Sequence, residues 1–405
     1  RQGLVPYLDF YLFMTPLFPL QMAAFQSVFG ESFIALRMLG VVVILCLSFF
    51  LYLILARRFS PLVSVIATVT AIFYYQSGVA HITYDFIQFF SVLVLAATYL
   101  IILYADKKSE SAINTSKHGA TLLVLAGILV SLAFLTKQSN GALVVVFSVG
   151  AVALATAGQN LLWRLKNLSM YMLGMAFPVL IMGIWLYFVD ALLPFFDQVL
   201  FGAIDAKGSI WAILFSWVGR HANRDYLEQL IVGLLYISPL LTMSFIGSAI
   251  VKWRRNEREN QTRIVLEIFL FLALFCMAIG LAYYGIVTSS SWMITPGIKL
   301  SQGLVPISTA LVLALTISPI LQSFTGFRIQ GKYLSIIAIM TLGLVFGNGT
   351  SAGIGEVSIF LGFALALGFL ISLPNTNGVT KTVMGLACLS FILFLANGKF
   401  RQPYA

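Results

Sequence analysis

Four charged side chains stand at the edges of long apolar runs: Asp9, Arg37, Asp85 and Lys137. An ionised group at a bilayer boundary is costly, so one that is kept there has a use more often than not. Asp9, in PYLDF, offers a carboxylate that can serve as a general base, bind a metal or hold a sugar hydroxyl; a loop acid or helix cap is the plainer alternative. Asp85, in HITYDFIQFF, opens an apolar run. There it suits either the positive end of a helix dipole or a second acid facing Asp9 across a cavity. His81 lies four residues before it, on the same face if a helix has begun. One His and one Asp are a weak signal for a transition metal, and an acid pair can hold a divalent cation or nothing. Lys137, in LAFLTKQSNG, can meet a lipid-linked phosphate as a point charge or snorkel to the membrane surface. Arg37 offers a fork suited to phosphate. Glu356 ends a glycine-rich segment, GNGTSAGIGEV, that lacks the spacing of a phosphate-binding loop and reads as a turn or cap. No GxSxG, HExxH, CxxC or dinucleotide-binding pattern is present.

The elements that must hold these residues are membrane helices. Of 405 residues, 60% are hydrophobic and 9% charged, against about 25% charged in a soluble domain. Long apolar runs recur throughout, whereas a membrane β-barrel shows short alternating segments. The expected fold is all-α: a polytopic bundle of about twelve transmembrane helices in a single integral membrane domain, 1–405. Spans are expected near 33–56, 61–79, 82–104, 119–136, 140–158, 169–190, 229–251, 264–286, 302–323, 333–347, 355–373 and 380–396. Residues 1–32 read as an outer loop with an interfacial helix, because Pro16 and Pro19 interrupt the apolar run 11–29. A long outer loop, 191–228, carries Trp211 and Trp217, which suit headgroup depth. Residues 252–263, KWRRNERENQTR, form a basic cytoplasmic loop.

Strict alternation of these spans sorts the charge. One set of loops holds Arg57, Arg58, Lys107, Lys108, Lys117, Arg164, Lys166, Lys252, Arg254, Arg255, Arg258, Arg263, Arg328, Lys332 and Lys381, fifteen of the 24 basic residues. The positive-inside rule places that set in the cytoplasm. The net charge of +10 is therefore a topology signal spread over short loops, and a nucleic-acid partner is excluded. Nine of the fourteen acids, Asp9, Glu31, Asp85, Asp190, Asp197, Asp205, Asp225, Glu228 and Glu356, fall on the other face, as a site there or long outer loops would have it. Cys46, Cys276 and Cys388 lie inside apolar runs and read as packing residues.

Four segments together resemble the GT-C superfamily of membrane glycosyltransferases, in particular the bacterial relatives of protein O-mannosyltransferases and the aminoarabinose transferase of lipid A. They are GLVPYLDF…TPLFPL…FGESFIALRMLG at 3–40, ITYDF at 82–86, LVSLAFLTKQSNGAL at 129–143 and NGTSAGIGEV at 348–357. The match is firm over 3–145; beyond that, hydropathy and loop plan alone agree. The resemblance implies a sugar taken from a polyprenyl-phosphate donor at the outer face of a bacterial inner (plasma) membrane and passed, with inversion, to a lipid, glycan or protein acceptor. It implies a catalytic aspartate in the first outer loop, at a position that would precede Arg1 together with a first span; Asp9 is the remaining acid of that loop. Asp85 matches the acid that opens a later span, and Lys137 matches a lysine assigned to donor phosphate or site architecture. Met14 and Thr15 depart from the family, which often has a second proline or a charged residue there. The competing readings are a transporter or lipid flippase, which predicts ionisable residues at mid-span, and a non-catalytic subunit held by protein partners in the membrane. Here nearly all charges lie at span ends, Glu267 being the deepest exception.

Overall fold

The computed structural model describes residues 4–12, 14–78, 86–110, 116–157, 159–202 and 332–348. The expected spans at 229–251, 264–286, 302–323, 355–373 and 380–396, and the basic loop 252–263, lie outside the described residues. So do Asp85, His81, Glu356 and most of the outer loop 191–228. Among the described residues the chain is helical, without strands. The helices are α1 Leu17–Phe29, α2 Phe33–Ala56, α3 Pro61–Gly78, α4 Phe86–Glu110, α5 Ser116–Thr136, α6 Gln138–Ala155, α7 Leu161–Phe188, the single turn α8 Leu192–Phe195 with a π-helical turn Phe196–Phe201, and α9 Lys332–Asn348. Four of them hold apolar stretches long enough to cross a membrane: Phe33–Ala56, Gln88–Asp106, His118–Thr136 and Leu161–Phe188.

Local chemistry sets the boundaries. Gly30, at φ +88°, ends α1 in a conformation that L-residues avoid. Ser32 then caps α2, its Oγ accepting from the Ala35 amide at 3.1 Å. Pro61 opens α3 at the position where a missing amide hydrogen costs nothing. The structure starts the seventh helix at Leu161 and not near 169, because Asn160 caps it there by accepting from Trp163 N at 3.0 Å. Arg164 and Lys166 therefore lie in the first turns of α7, with Lys166 Nζ 4.7 Å from the Trp163 ring centre. The apolar run 11–29 resolves into a loop and the short α1, about 20 Å long and well under a bilayer crossing.

α2 shows why these helices suit lipid. Ala35, Leu39, Val43, Leu47, Leu51 and Ile54 are buried on one face, while Ile34, Met38, Val41, Leu45 and Phe49 are exposed on the other. Both faces are apolar, and a soluble protein rarely exposes a continuous stripe of that kind. α7 repeats the pattern, with Leu162, Leu165, Leu173, Phe177, Leu180, Ile184 and Phe188 exposed. Burial ranks the helices: 72% of the apolar stretch of α4 is buried against 22% for α7, so α4 is central and α7 peripheral.

The described residues fall in two units. Residues 55–78, with α3, belong to one, and in it Arg58 N and Phe59 N both donate to Leu55 O to close the turn that leads to α3. Every other described element belongs to the second unit, where α4 packs on α5, α5 on α7, and α6 on α9. Lipid gives helices no hydrophobic reason to associate, so close backbone approach must hold them. At the α5–α7 crossing a Cβ on Gly127 would stand 2.2 Å from Tyr171 O, and one on Gly174 would stand 2.2 Å from Val124 O. Tyr171 Oη donates to Ser148 Oγ at 2.5 Å and ties α7 to α6.

Within this unit the helix ends gather as alternation requires. At one end Gln159 Nε2 donates to Tyr104 Oη at 3.0 Å and Asn167 Nδ2 to Gln159 Oε1 at 2.9 Å, joining the end of α4, the α6–α7 connection and the start of α7. Tyr333 Oη donates to Ile54 O, which brings the start of α9 to the end of α2. The basic connections with Lys107, Lys108, Lys117, Arg164 and Lys166 belong to this end. At the opposite end, Phe18, Met22 and Phe25 of α1 pack with Leu39 and Val43 of α2 and with Phe89 and Val92 of α4.

Gly127→Val and Gly174→Val each force α5 and α7 apart. Both are expected to destabilise the detergent-solubilised protein by about 1–3 kcal/mol or more. Gly183→Ala on α7, where an added Cβ meets nothing within 4 Å, is expected to be neutral or stabilising by up to about 1 kcal/mol. Thermal unfolding of the three variants side by side checks this; equal midpoints would refute the close-approach account.

Candidate functional site

The end opposite the basic connections is built around a break. α5 stops at Thr136 and α6 starts at Gln138, with Lys137 between them in extended backbone, φ −154° and ψ 110°. Phe134 O would accept from Gln138 N in a continuous helix, and the break removes that donor. Thr15 supplies a replacement: its Oγ1 donates to Phe134 O at 3.3 Å, and its amide donates to Gln138 Oε1 at 3.2 Å. Thr15 is fully buried. Gly141 lets α6 turn back tightly, since a Cβ there would stand 2.2 Å from Phe134 Cα. Lys137, half-buried, thus sits after the negative end of α5 and before the positive start of α6. Lys137 N donates to Ala133 O at 3.2 Å and Gly141 N to Lys137 O at 2.9 Å, so one extended residue joins the two helices.

The loop 4–12 is pinned at its other side. Gln198, in the π-helical turn, accepts from Leu12 N at 2.9 Å and donates to Tyr7 O at 2.8 Å. Tyr7 is buried with Leu186, Ala191 and Val199, meets the Phe195 ring edge to face at 5.2 Å, and donates its hydroxyl to Met14 O at 2.8 Å. Burial pushes its phenol well above the ordinary tyrosine range. Its φ of +73° lets the chain double back, so that Tyr7 N donates to Phe10 O and Asp9 N to Val5 O, both at 3.0 Å.

The four residues singled out by type and spacing occupy this end unequally. Lys137 lies at its centre. Asp9 is exposed on the pinned loop, and its Oδ2 accepts from Val5 N at 2.5 Å, so one carboxylate oxygen helps to hold the turn. Arg37 is exposed in the first turns of α2, its guanidinium 4.6 Å from the ring centre of Phe33. Asp85 lies outside the described residues, immediately before α4. Thr15 therefore fixes the segment that follows the Asp9 loop at the α5–α6 junction, while Arg37 is carried by α2. Among the described residues no three of His, Cys, Asp and Glu gather as metal ligands would. Thr15, Gln138, Tyr7 and Gln198 escape a search for charge, although polar residues in otherwise apolar text are a signal that would have found the first two. The chain matches no known protein family, no curated protein and no solved structure.

Thr15→Val keeps the volume and loses the hydroxyl, which leaves Phe134 O unpaired; a cost of about 1–3 kcal/mol is expected, with faster amide exchange across 4–16 and 134–141. Unchanged exchange would mean that the break does not depend on Thr15. Alkali supplies a second check. The folded-state pKa of Tyr7 is raised, so its contribution to stability is present below the unfolded tyrosine value of about 10 and is lost as pH climbs past it. Protection of the loop amides, corrected for base-catalysed intrinsic exchange, is expected to fall above about pH 10 in the natural protein, and Tyr7→Phe is expected to remove that fall.

Proposed function

We propose that this protein is a membrane glycosyltransferase of the GT-C kind, a bundle of about twelve spans. It takes a sugar from a polyprenyl-phosphate donor at the outer face of a bacterial plasma membrane and passes it to a lipid, glycan or protein acceptor. The observation that carries the reading is the pair of Thr15 hydrogen bonds that fixes the segment following Asp9 at the helix junction that carries Lys137. An acid and a cation at one membrane boundary are what such a transfer needs. The acceptor oxygen attacks the anomeric carbon, and the bond from that carbon to the phosphate oxygen breaks with inversion. The acceptor proton passes to a carboxylate, Asp85 or Asp9, and the polyprenyl phosphate leaves. Lys137 neutralises the phosphate as its charge grows, at a break where α6 begins. Arg37 serves a headgroup from the surface of α2. The polyprenyl tail stays in lipid, against apolar faces such as those of α2 and α7. The basic connections at the other end face the cytoplasm in this reading.

The test is turnover by purified protein in proteoliposomes, given polyprenyl-phosphate mannose and aminoarabinose donors and a membrane extract as acceptor, read as release of polyprenyl phosphate. Lys137→Ala is expected to lower turnover about 10²-fold, with Lys137→Arg intermediate and Asp85→Asn at least as severe as Lys137→Ala. Release from neither donor by the natural protein, or full turnover by Lys137→Ala, sinks the proposal.

A further inference from the structure

Gln88 is the third residue of α4 and is completely buried. Among the described residues neither its Oε1 nor its Nε2 has a hydrogen-bond partner. Ser131 on α5, 2% exposed, has an unpartnered Oγ as well. Among the described residues Thr68 Oγ1 on α3 is the other buried side-chain atom of this kind, and it belongs to the other unit. Several helix hydroxyls of the same unit bond back to the preceding turn: Thr98 to Val94 O at 2.7 Å, Thr136 to Leu132 O at 2.8 Å and Thr341 to Ile337 O at 2.8 Å. An amide with both ends unpaired in an apolar interior is expensive, and native proteins rarely keep one without a use.

Its place in the fold says what the use is. The Tyr104 ring lies 3.2 Å from where a Gly119 Cβ would stand, which fixes the register of antiparallel α4 and α5. Counting back at 1.5 Å per residue puts Gln88 at roughly the level of the end of α5, within about two turns of both Ser131 and Lys137. The chemistry narrows the occupant. A phosphate facing Gln88 would meet the lone pairs of Oε1, and a cation would meet the hydrogens of Nε2. A hydroxyl both donates and accepts, and two neighbouring hydroxyls satisfy both ends of one amide.

We propose that Gln88, aided by Ser131, is the hydroxyl-recognising subsite of this protein, holding the uncharged polyol part of a ligand whose phosphate is met at Lys137. The inference rests on the glycosyl-transfer reading and deepens it: Lys137 reads the phosphate, and Gln88 reads the sugar. Gln88 is then a specificity residue, because a buried amide left unpaired penalises a ligand that lacks the hydroxyls.

The experiment compares binding of polyprenyl phosphate with and without an attached hexose to the purified full chain, together with its ligand-free thermal midpoint. The natural protein is expected to prefer the hexose form by about tenfold or more, as two neutral hydrogen bonds would give. Gln88→Met, close in volume and free of both groups, is expected to bring the two ligands within about twofold of each other, to leave the bare phosphate lipid bound as before, and to raise the ligand-free midpoint. Ser131→Ala is expected to reduce the preference in part without lowering the midpoint, which keeps the test open should Gln88→Met not fold. A preference that survives both variants, or a lower midpoint in Gln88→Met with the preference intact, overturns the proposal and makes Gln88 structural. Binding of neither lipid by the natural protein overturns the glycosyl-transfer reading together with this one. Binding of both lipids without preference overturns the subsite alone.

Discussion

The last carbonyls of a helix must find partners outside it, and among the described residues the junction at Lys137 shows how this chain meets that constraint. Much at that end of the bundle follows from it. The break takes the Gln138 amide from Phe134 O, and the orphaned carbonyl must find another donor. Thr15 supplies one and also gives its own amide to the Gln138 side chain. A segment more than 100 positions earlier in the chain is thereby fixed to the α5–α6 junction. Gln198 anchors the same segment to the end of α7 through Tyr7 and Leu12. The loop that carries Asp9 is held at one side by Gln198 and followed at the other by Thr15, through neutral hydrogen bonds.

Packing elsewhere serves that arrangement. With no hydrophobic drive between helices in lipid, α5 and α7 meet through Gly127 and Gly174, backbone against backbone. This contact, with the Tyr171–Ser148 bond, sets the angle at which α7 delivers the π-helical turn and Gln198 to the loop. α4, the most enclosed of the candidate spans, carries Gln88 into the same layer as the break. A fully buried amide without a partner, one helix away from a lysine at a helix junction, is the least economical feature of the described structure and the most suggestive of a ligand.

Much of the fold was legible. Helix α2 begins and ends where hydropathy alone places it, because a run of 24 apolar residues flanked by Ser32 and the Arg57–Arg58 pair leaves little choice. α7 was less legible: its first turns, LLWRLK, are too charged to read as a span, yet the Asn160 cap and the Trp163–Lys166 stack extend the helix outside the apolar stretch. The division of helix ends into two groups followed from the basic connections, and the Tyr104–Gln159–Asn167 chain and the Tyr333–Ile54 bond bear it out for the unit they belong to. At the site, Lys137 was legible because a cation between two apolar runs is conspicuous. Gln88, Ser131, Thr15 and Gln198 were not, since uncharged polar residues in membrane helices are common and most of them bond to their own backbone.

By itself the amino-acid sequence determined that this chain makes long apolar helices, roughly where most of the described ones run, and which of their ends carry the basic connections. These are local properties: hydropathy, capping and charge act over one or two turns. Only the tertiary structure decided that the Thr15 segment repairs the α5–α6 break, that Gly127 faces Gly174, and that Gln88 is sealed without a partner. Those outcomes depend on which faces of distant helices meet, and a helix apolar all round, like α2, does not announce in its sequence which side its neighbours will take.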